Sequence, residues 1–167
     1  MAKKGSEFER DTCRRLSLWL SDGEHDDWLW RSATSGARAT VRARKGKSTR
    51  GHCGDIAATC PEGERLTKLV TIELKRGYQH VTGIDLIDSV GGGNIAKFIA
   101  QAKEARQRAG TPYWMLIHKR DRRAAVVYAP PEFLGMIQMG ELNNTAVTRF
   151  DDLLDWDAES FLSRLET

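Results

Sequence analysis

Gly54-Asp55-Ile56-Ala57-Ala58 leads into Pro61-Glu62-Gly63-Glu64-Arg65, and the chain returns as Leu69-Val70-Thr71-Ile72-Glu73-Leu74-Lys75. Val, Ile and Thr flank a Pro/Gly-containing break, which predicts an antiparallel strand pair joined by a turn at 61–65. Side chains alternate along a strand, so Thr71, Glu73 and Lys75 share one face while Val70, Ile72 and Leu74 share the other. A carboxylate and an ammonium closing an otherwise apolar strand are costly unless paired or bound to a metal. Folding Asp55 back toward Glu73 gathers two carboxylates and one lysine. That oxygen-rich set suits a hard divalent ion such as Mg²⁺, with the lysine free to act on water or phosphate.

Upstream, residues 6–20 read as a helix, with Phe8, Thr12, Leu16 and Leu20 on one stripe and Cys13 and Trp19 beside it. Glu9 lies on the flank of that stripe. Ser6-Glu7-Phe8-Glu9 fits a capping box, in which Glu9 would bond the Ser6 N–H, and local sequence favours that role over a place in a cleft. Trp28-Leu29-Trp30-Arg31 reads as a short strand, followed by the small-residue loop Ser32-Ala33-Thr34-Ser35-Gly36. Arg38, Arg42, Arg44, Lys45, Lys47 and Arg50 come next, with no acidic residue among them. Six like charges repel one another unless something neutralises them, so 36–53 is expected to be a basic mobile loop that contacts DNA phosphates. Gly46-Lys47-Ser48-Thr49 is not a P-loop, since the first glycine of that motif would fall at Val41.

Downstream, residues 76–93 are glycine-rich and read as a partly ordered connection. A helix is expected over 94–109, with Ile95, Phe98, Ile99 and Ala102 inward and Lys97, Lys103, Arg106 and Arg108 on its polar side. Residues 113–118 and 124–128 read as a hairpin, with His118 expected at the surface. A short helix is expected over 132–139 with Met136 and Met139 as core filler, an edge strand over 147–150, and a terminal helix over 158–165.

The 167 residues are enough for one domain with a substantial core. No run of eighteen apolar residues occurs and the first residues lack a signal-peptide core, so the expectation is a cytoplasmic protein with no membrane contact. Cys13, Cys53 and Cys60 form no CxxC pair and are expected to be reduced thiols. The net charge of +3 hides an asymmetry: the stretch from Asp151 onward carries six acidic residues against Arg164 alone, leaving 25 basic and 17 acidic residues elsewhere, a net of +8. A body of that sign favours a polyanionic partner.

The element order, with Asp55 and Glu73-Leu74-Lys75, resembles the PD-(D/E)XK nuclease superfamily. Lys4-Gly5-Ser6-Glu7-Phe8-Glu9-Arg10 further resembles the KGxxxER signature of archaeal-type Holliday junction resolvases, and Arg31-Ser32-Ala33-Thr34-Ser35-Gly36 their R-x-x-x-S-G strand end. These motifs occur in the family's order between about residues 4 and 128. The resemblance implies an α/β fold: a restriction-endonuclease-like core with a central mixed β-sheet flanked by helices. It makes the chain a single nuclease domain, with a core over about 4–128 and a C-terminal extension over 129–167 ending in the acidic tail. It implies catalytic roles for Glu9, Asp55, Glu73, Lys75 and Ser35, and moves Glu9 from cap to active-site carboxylate. Metal ligands would be Asp55, Glu73, the Leu74 carbonyl and Glu9, for Mg²⁺ or alternatively Mn²⁺. DNA contacts would include Arg10 and Arg31 besides the loop cations. Gly54 stands where proline usually precedes the aspartate, a variation the superfamily accepts.

The function implied is hydrolysis of DNA phosphodiesters to 5′-phosphate and 3′-hydroxyl ends in recombination and repair, with a homodimer acting on a branched four-way junction. The nearest rival is another PD-(D/E)XK nuclease of the restriction, repair or phage recombination type. An RNA-processing nuclease is a further reading. A non-catalytic DNA-binding protein on the same fold is disfavoured by the intact Asp55, Glu73 and Lys75.

Overall fold

A computed structural model describes residues 2–32 and 54–167. Helix α1 (Ala2–Leu20) precedes strands β1 (Leu29–Arg31) and β2 (Ile56–Ala58), helix α2 (Pro61–Leu69) and strand β3 (Val70–Arg76). A short α3 (Asp85–Asp88) and a 3-10 turn (Val90–Gly92) lead into α4 (Gly93–Ala109). Strands β4 (Tyr113–Lys119) and β5 (Ala125–Ala129), helix α5 (Pro131–Leu134), a 3-10 turn (Gly135–Ile137) and strands β6 (Gly140–Leu142) and β7 (Thr145–Arg149) follow. Helices α6 (Phe150–Leu154) and α7 (Ala158–Glu166) complete the chain.

The main sheet has the order β3-β4-β5-β7-β6, with β3 and β4 parallel and the other pairs antiparallel. The α/β plan with a mixed sheet flanked by helices is therefore present. Alternation on β3 and β4 assigns the two faces. Val70, Ile72 and Leu74 join Met115 and Ile117 in a core with Phe8, Cys13 and Leu16 of α1, which also takes in Phe133, Phe150 and Phe161. The opposite face carries Trp114 and Leu116 against Ile95, Phe98, Ile99 and Ala102 of α4. Glu73 and Lys75 lie on this second face, level with Leu116 and His118 of the neighbouring strand.

The 61–65 stretch is a helix, not a turn, and its glycine explains the difference. Pro61 starts α2, Glu62 and Glu64 sit in its first turn, and Glu64 pairs with Lys68 one turn on at 2.6 Å. Gly63 is there for close packing: a Cβ at this position would stand 2.3 Å from the Trp28 carbonyl oxygen. Consequently β2 and β3 do not form a hairpin. β2 pairs antiparallel with β1, while β3 takes β4 as its parallel partner, as a helical crossover permits.

Four smaller expectations are corrected. Helix α1 begins at Ala2, which leaves Ser6 inside the helix and removes the capping box; the Ser6 hydroxyl instead accepts bonds from Arg10 and Arg31. His118 is buried, at 3% exposure, because its ring bonds the Gly77 carbonyl at 3.0 Å beneath the turn that follows β3. Met136 and Met139 are exposed, since α5 ends early at Leu134, which leaves Met136 in a 3-10 turn and Met139 beyond it. Strand β7 is internal, with β6 outside it at the sheet edge.

The acidic C-terminal stretch is part of the fold. Asp151 pairs with Arg15 of α1 at 2.6 Å, Arg65 of α2 binds both Glu159 and Glu166, and Asp157 caps α7 through the Ser160 N–H at 2.7 Å. Asp151, Glu159 and Glu166 thus pair with cations of α1 and α2. No helix among the described residues is long and apolar enough to cross a membrane.

Candidate active site

β3 is an edge strand of the main sheet, and the segment entering β2 runs beside it. The Asp55 N–H donates to the Ile72 carbonyl at 2.8 Å, and the Leu74 N–H donates to the Asp55 carboxylate at 2.7 Å. Ser32 clamps the same segment from behind: its N–H donates to the Asp55 carbonyl and its hydroxyl to the Gly54 carbonyl, each at 2.8 Å. Gly54, at φ +79°, lets the backbone come this close to Ile72.

Asp55, Glu73, Leu74 and Lys75 line one cleft of 450 Å³ together with Glu9, so the structure brings these five positions together. The Lys75 ammonium lies 2.8 Å from the Glu73 carboxylate and 5.5 Å from the centre of the Phe98 ring, which backs it from α4. Glu9 sits 3.7 Å from the Arg31 guanidinium, which in turn bonds Ser6 at 2.7 Å. The KGxxxER helix and the strand-end arginine therefore meet at the edge of the cleft. Arg10 turns into a neighbouring cleft with Trp30. Ser35 and the loop cations Arg38, Arg42, Arg44, Lys45, Lys47 and Arg50 lie outside the described residues.

Asp55 is only 8% exposed, and its pKa is pushed up to about 7. Burial is the largest cause and the negative charge of Glu73 the second, against the opposing pull of the Leu74 N–H and Lys75. Cys13, packed behind the carboxylates, is pushed up to about 12 by burial and by Glu9 and Asp55, so it remains a thiol.

Among the described residues no group of three or more His, Cys, Asp and Glu side chains already converges as a metal site, and the Glu73 carboxylate is engaged by Lys75. The donor chemistry nevertheless fits a hard divalent cation. Four carboxylates line the cleft, those of Glu9, Asp55, Glu73 and Glu104, and Asp55 is held against its own charge by burial and by Glu73. The N–H and C=O of one strand residue point the same way, so the Leu74 carbonyl faces the Asp55 side along with its N–H. A cation there would offset the repulsion that raises Asp55.

A pH dependence of stability follows. An aspartate with a folded pKa near 7 binds its proton more tightly in the folded chain than in the unfolded one. The stabilisation from protonated Asp55 is complete below about pH 4 and lost as pH rises through about 7. Metal-free protein should therefore lose more of its urea midpoint between pH 5 and 8 than Asp55→Asn protein does. Identical pH profiles for the two would refute this account of the buried carboxylate.

Sequence reasoning missed the far wall of the cleft: Gln101, Glu104, Ala105 and Arg108 of α4. Their spacing of three or four residues marks one helical face, and Glu104 pairs with Arg108 at 3.2 Å. The signal is present in the sequence, where Arg108 reads only as one of the cations on the polar side of the helix.

No curated protein and no solved structure matches the chain. A protein-family model does match, over residues 1–156, which contain every part of the cleft described above. The chain thus belongs to the family described as "phage putative PDDEXK endonuclease".

Proposed function

We propose that this nuclease is a divalent-metal-dependent DNA endonuclease selective for branched DNA, in the manner of Holliday junction resolvases, yielding 5′-phosphate and 3′-hydroxyl ends. The observation that carries the reading is the buried Asp55 sharing a cleft with a Glu73–Lys75 pair at the edge of the sheet. Asp55, Glu73 and the Leu74 carbonyl would hold Mg²⁺ or Mn²⁺, with Glu9 as a further carboxylate at the rim. When bound, the ion supplies Lewis-acid stabilisation of charge on the scissile phosphate and lowers the pKa of water. Lys75 orients the attacking water and offsets negative charge building on the phosphate oxygens. Phe98 limits where the Lys75 ammonium can go, by a cation–π contact on its inner side. Arg31 holds Glu9 and Ser6 in place and presents positive charge to the phosphates alongside.

The branched-DNA part of the reading is supported by the resolvase-like motifs of α1 and β1 meeting at the cleft. A four-way junction requires two symmetric nicks, which a homodimer supplies. Such an enzyme would work in the cytoplasm, where its DNA substrate is found. Offered a four-way junction, a flap and a plain duplex with Mg²⁺, the protein should cleave the junction fastest. Equal rates on all three would remove the branch selectivity, and no cleavage of any DNA with Mg²⁺ or Mn²⁺ would remove the nuclease mechanism. Replacing Lys45 and Lys47 by Ala should weaken binding and lower the slope of log affinity against log salt by roughly 2. An unchanged slope would take that loop out of the interface.

A further inference from the structure

The chain has a second cleft, of 680 Å³, on the other side of the β3 end from the catalytic one. Its most unusual feature is Trp30, which is 50% exposed although the residue before it, Leu29, is fully buried. Strand alternation explains the direction: β1 turns Leu29 into the core and Trp30 outward. The same cleft is lined by four cations, among them Arg10 of α1 and Arg76 and Lys119 from the paired ends of β3 and β4, and by four carboxylates, among them Asp11 and Asp26. Arg76 is fixed there by its bonds to the Lys119 carbonyl, at 3.1 Å, and to Asp121. The two clefts are linked through adjacent residues: Glu9 lines one and Arg10 the other, and Lys75 lines one and Arg76 the other.

The mixture of groups selects the ligand. A wall meant for duplex backbone would be cationic throughout, because each phosphate carries a charge. Here carboxylates stand among the cations, with Arg14 and Asp26 only 3.9 Å apart. An unstacked nucleotide presents what this set would meet: a π face for the indole, a phosphate for arginine or lysine, and exocyclic amines for a carboxylate. We propose that this cleft takes a single unpaired nucleotide of the DNA substrate, its base stacked on Trp30, on the strand that is cut at Asp55 and Glu73. The proposal rests on the nuclease reading above and adds to it a reason for preferring some branched DNA to plain duplex, since an unpaired base is available at a flap, or where the centre of a junction opens, and not within a paired duplex arm.

The test uses full-length protein with Asp55→Asn, which binds without cutting, and a flap carrying 2-aminopurine as its first unpaired base. Stacking should quench the probe's fluorescence on binding. Trp30→Phe should retain the quench, whereas Trp30→Ala and Trp30→Leu should lose it; the leucine keeps apolar bulk without a π face. In the cleaving protein, both of those variants should reduce the preference for flap over duplex about tenfold, through KM more than kcat, consistent with the value of one stacked base. Fluorescence indifferent to Trp30, or an equal loss on flap and duplex, overturns the proposal. Because the fluorescence is read without cleavage, failure of the nuclease reading shows separately, as a parent protein that cuts no DNA.

Discussion

Asp55→Ala and Glu73→Ala are each expected to lower DNA cleavage by about 10³-fold or more while changing DNA affinity less than about threefold. A bound cation is worth several kcal/mol of transition-state charge stabilisation, and each 1.36 kcal/mol is about tenfold in rate. Losing one of the two carboxylates that Asp55 and Glu73 bring to the cleft would remove most of that, whereas on the proposed reading the affinity for DNA comes mainly from cations outside it. A nicking assay on labelled DNA, with binding followed in Ca²⁺, separates the two quantities. If binding and cleavage fell together, the carboxylates would be structural. Stability gives an independent sign. Asp55→Asn keeps an oxygen to accept from the Leu74 N–H but removes a charge held in burial beside Glu73. Metal-free Asp55→Asn protein at pH 8 should therefore be more stable than the parent, on the order of 2 kcal/mol. A carboxylate selected for packing would show the opposite sign.

Gly54→Ala should cost about 2–4 kcal/mol of stability and most of the activity, and Gly54→Pro more. The residue adopts φ +79°, strained for any side chain, and an added Cβ would stand 2.7 Å from the Ile72 carbonyl oxygen. Left-handed strain of about 1–3 kcal/mol adds to an overpacking cost of similar size. The Ile72 carbonyl is the acceptor for the Asp55 N–H, so any shift that relieves the clash also moves Asp55. Proline, the residue most often found at this position in the superfamily pattern, is fixed near φ −65° and cannot follow this path. The departure from the motif is thus built into the local backbone. Urea midpoints and cleavage rates of the two variants check this; a Gly54→Pro protein as stable and active as the parent would show that the strand edge can be rebuilt.

The same residues show how far local pattern reaches. Glu9 looked like the reciprocal partner in a capping box because Ser6 stands three residues before it, yet the helix simply starts earlier. Pro61 and Gly63 looked like a turn, but proline opens α2 and glycine lets it approach Trp28. In each case local pattern favours the commoner of two physical uses; for Glu9 the resolvase resemblance already points to the cleft, and for Pro61 and Gly63 a contact with Trp28, distant in sequence, decides otherwise. His118 is similar: a histidine at a strand end is usually wet, but here the Gly77 turn folds over it.

The faces were legible from residue order alone. Alternation along 70–75 put Glu73 and Lys75 opposite Val70, Ile72 and Leu74, and the helical periods of 6–20 and 94–109 marked their buried sides; the acidic set with its lysine is the pattern on which the proposal of a hard cation rests. Those features depend on neighbours one to four residues away. Only the tertiary structure decided how Asp55 reaches the site, through a bond to the Leu74 N–H rather than a hairpin, and that α4 closes the cleft. It also decided that the acidic C-terminal residues serve Arg15 and Arg65. Pairings of that kind depend on where the chain returns to itself, and the short-range periodicity of a sequence carries no record of it.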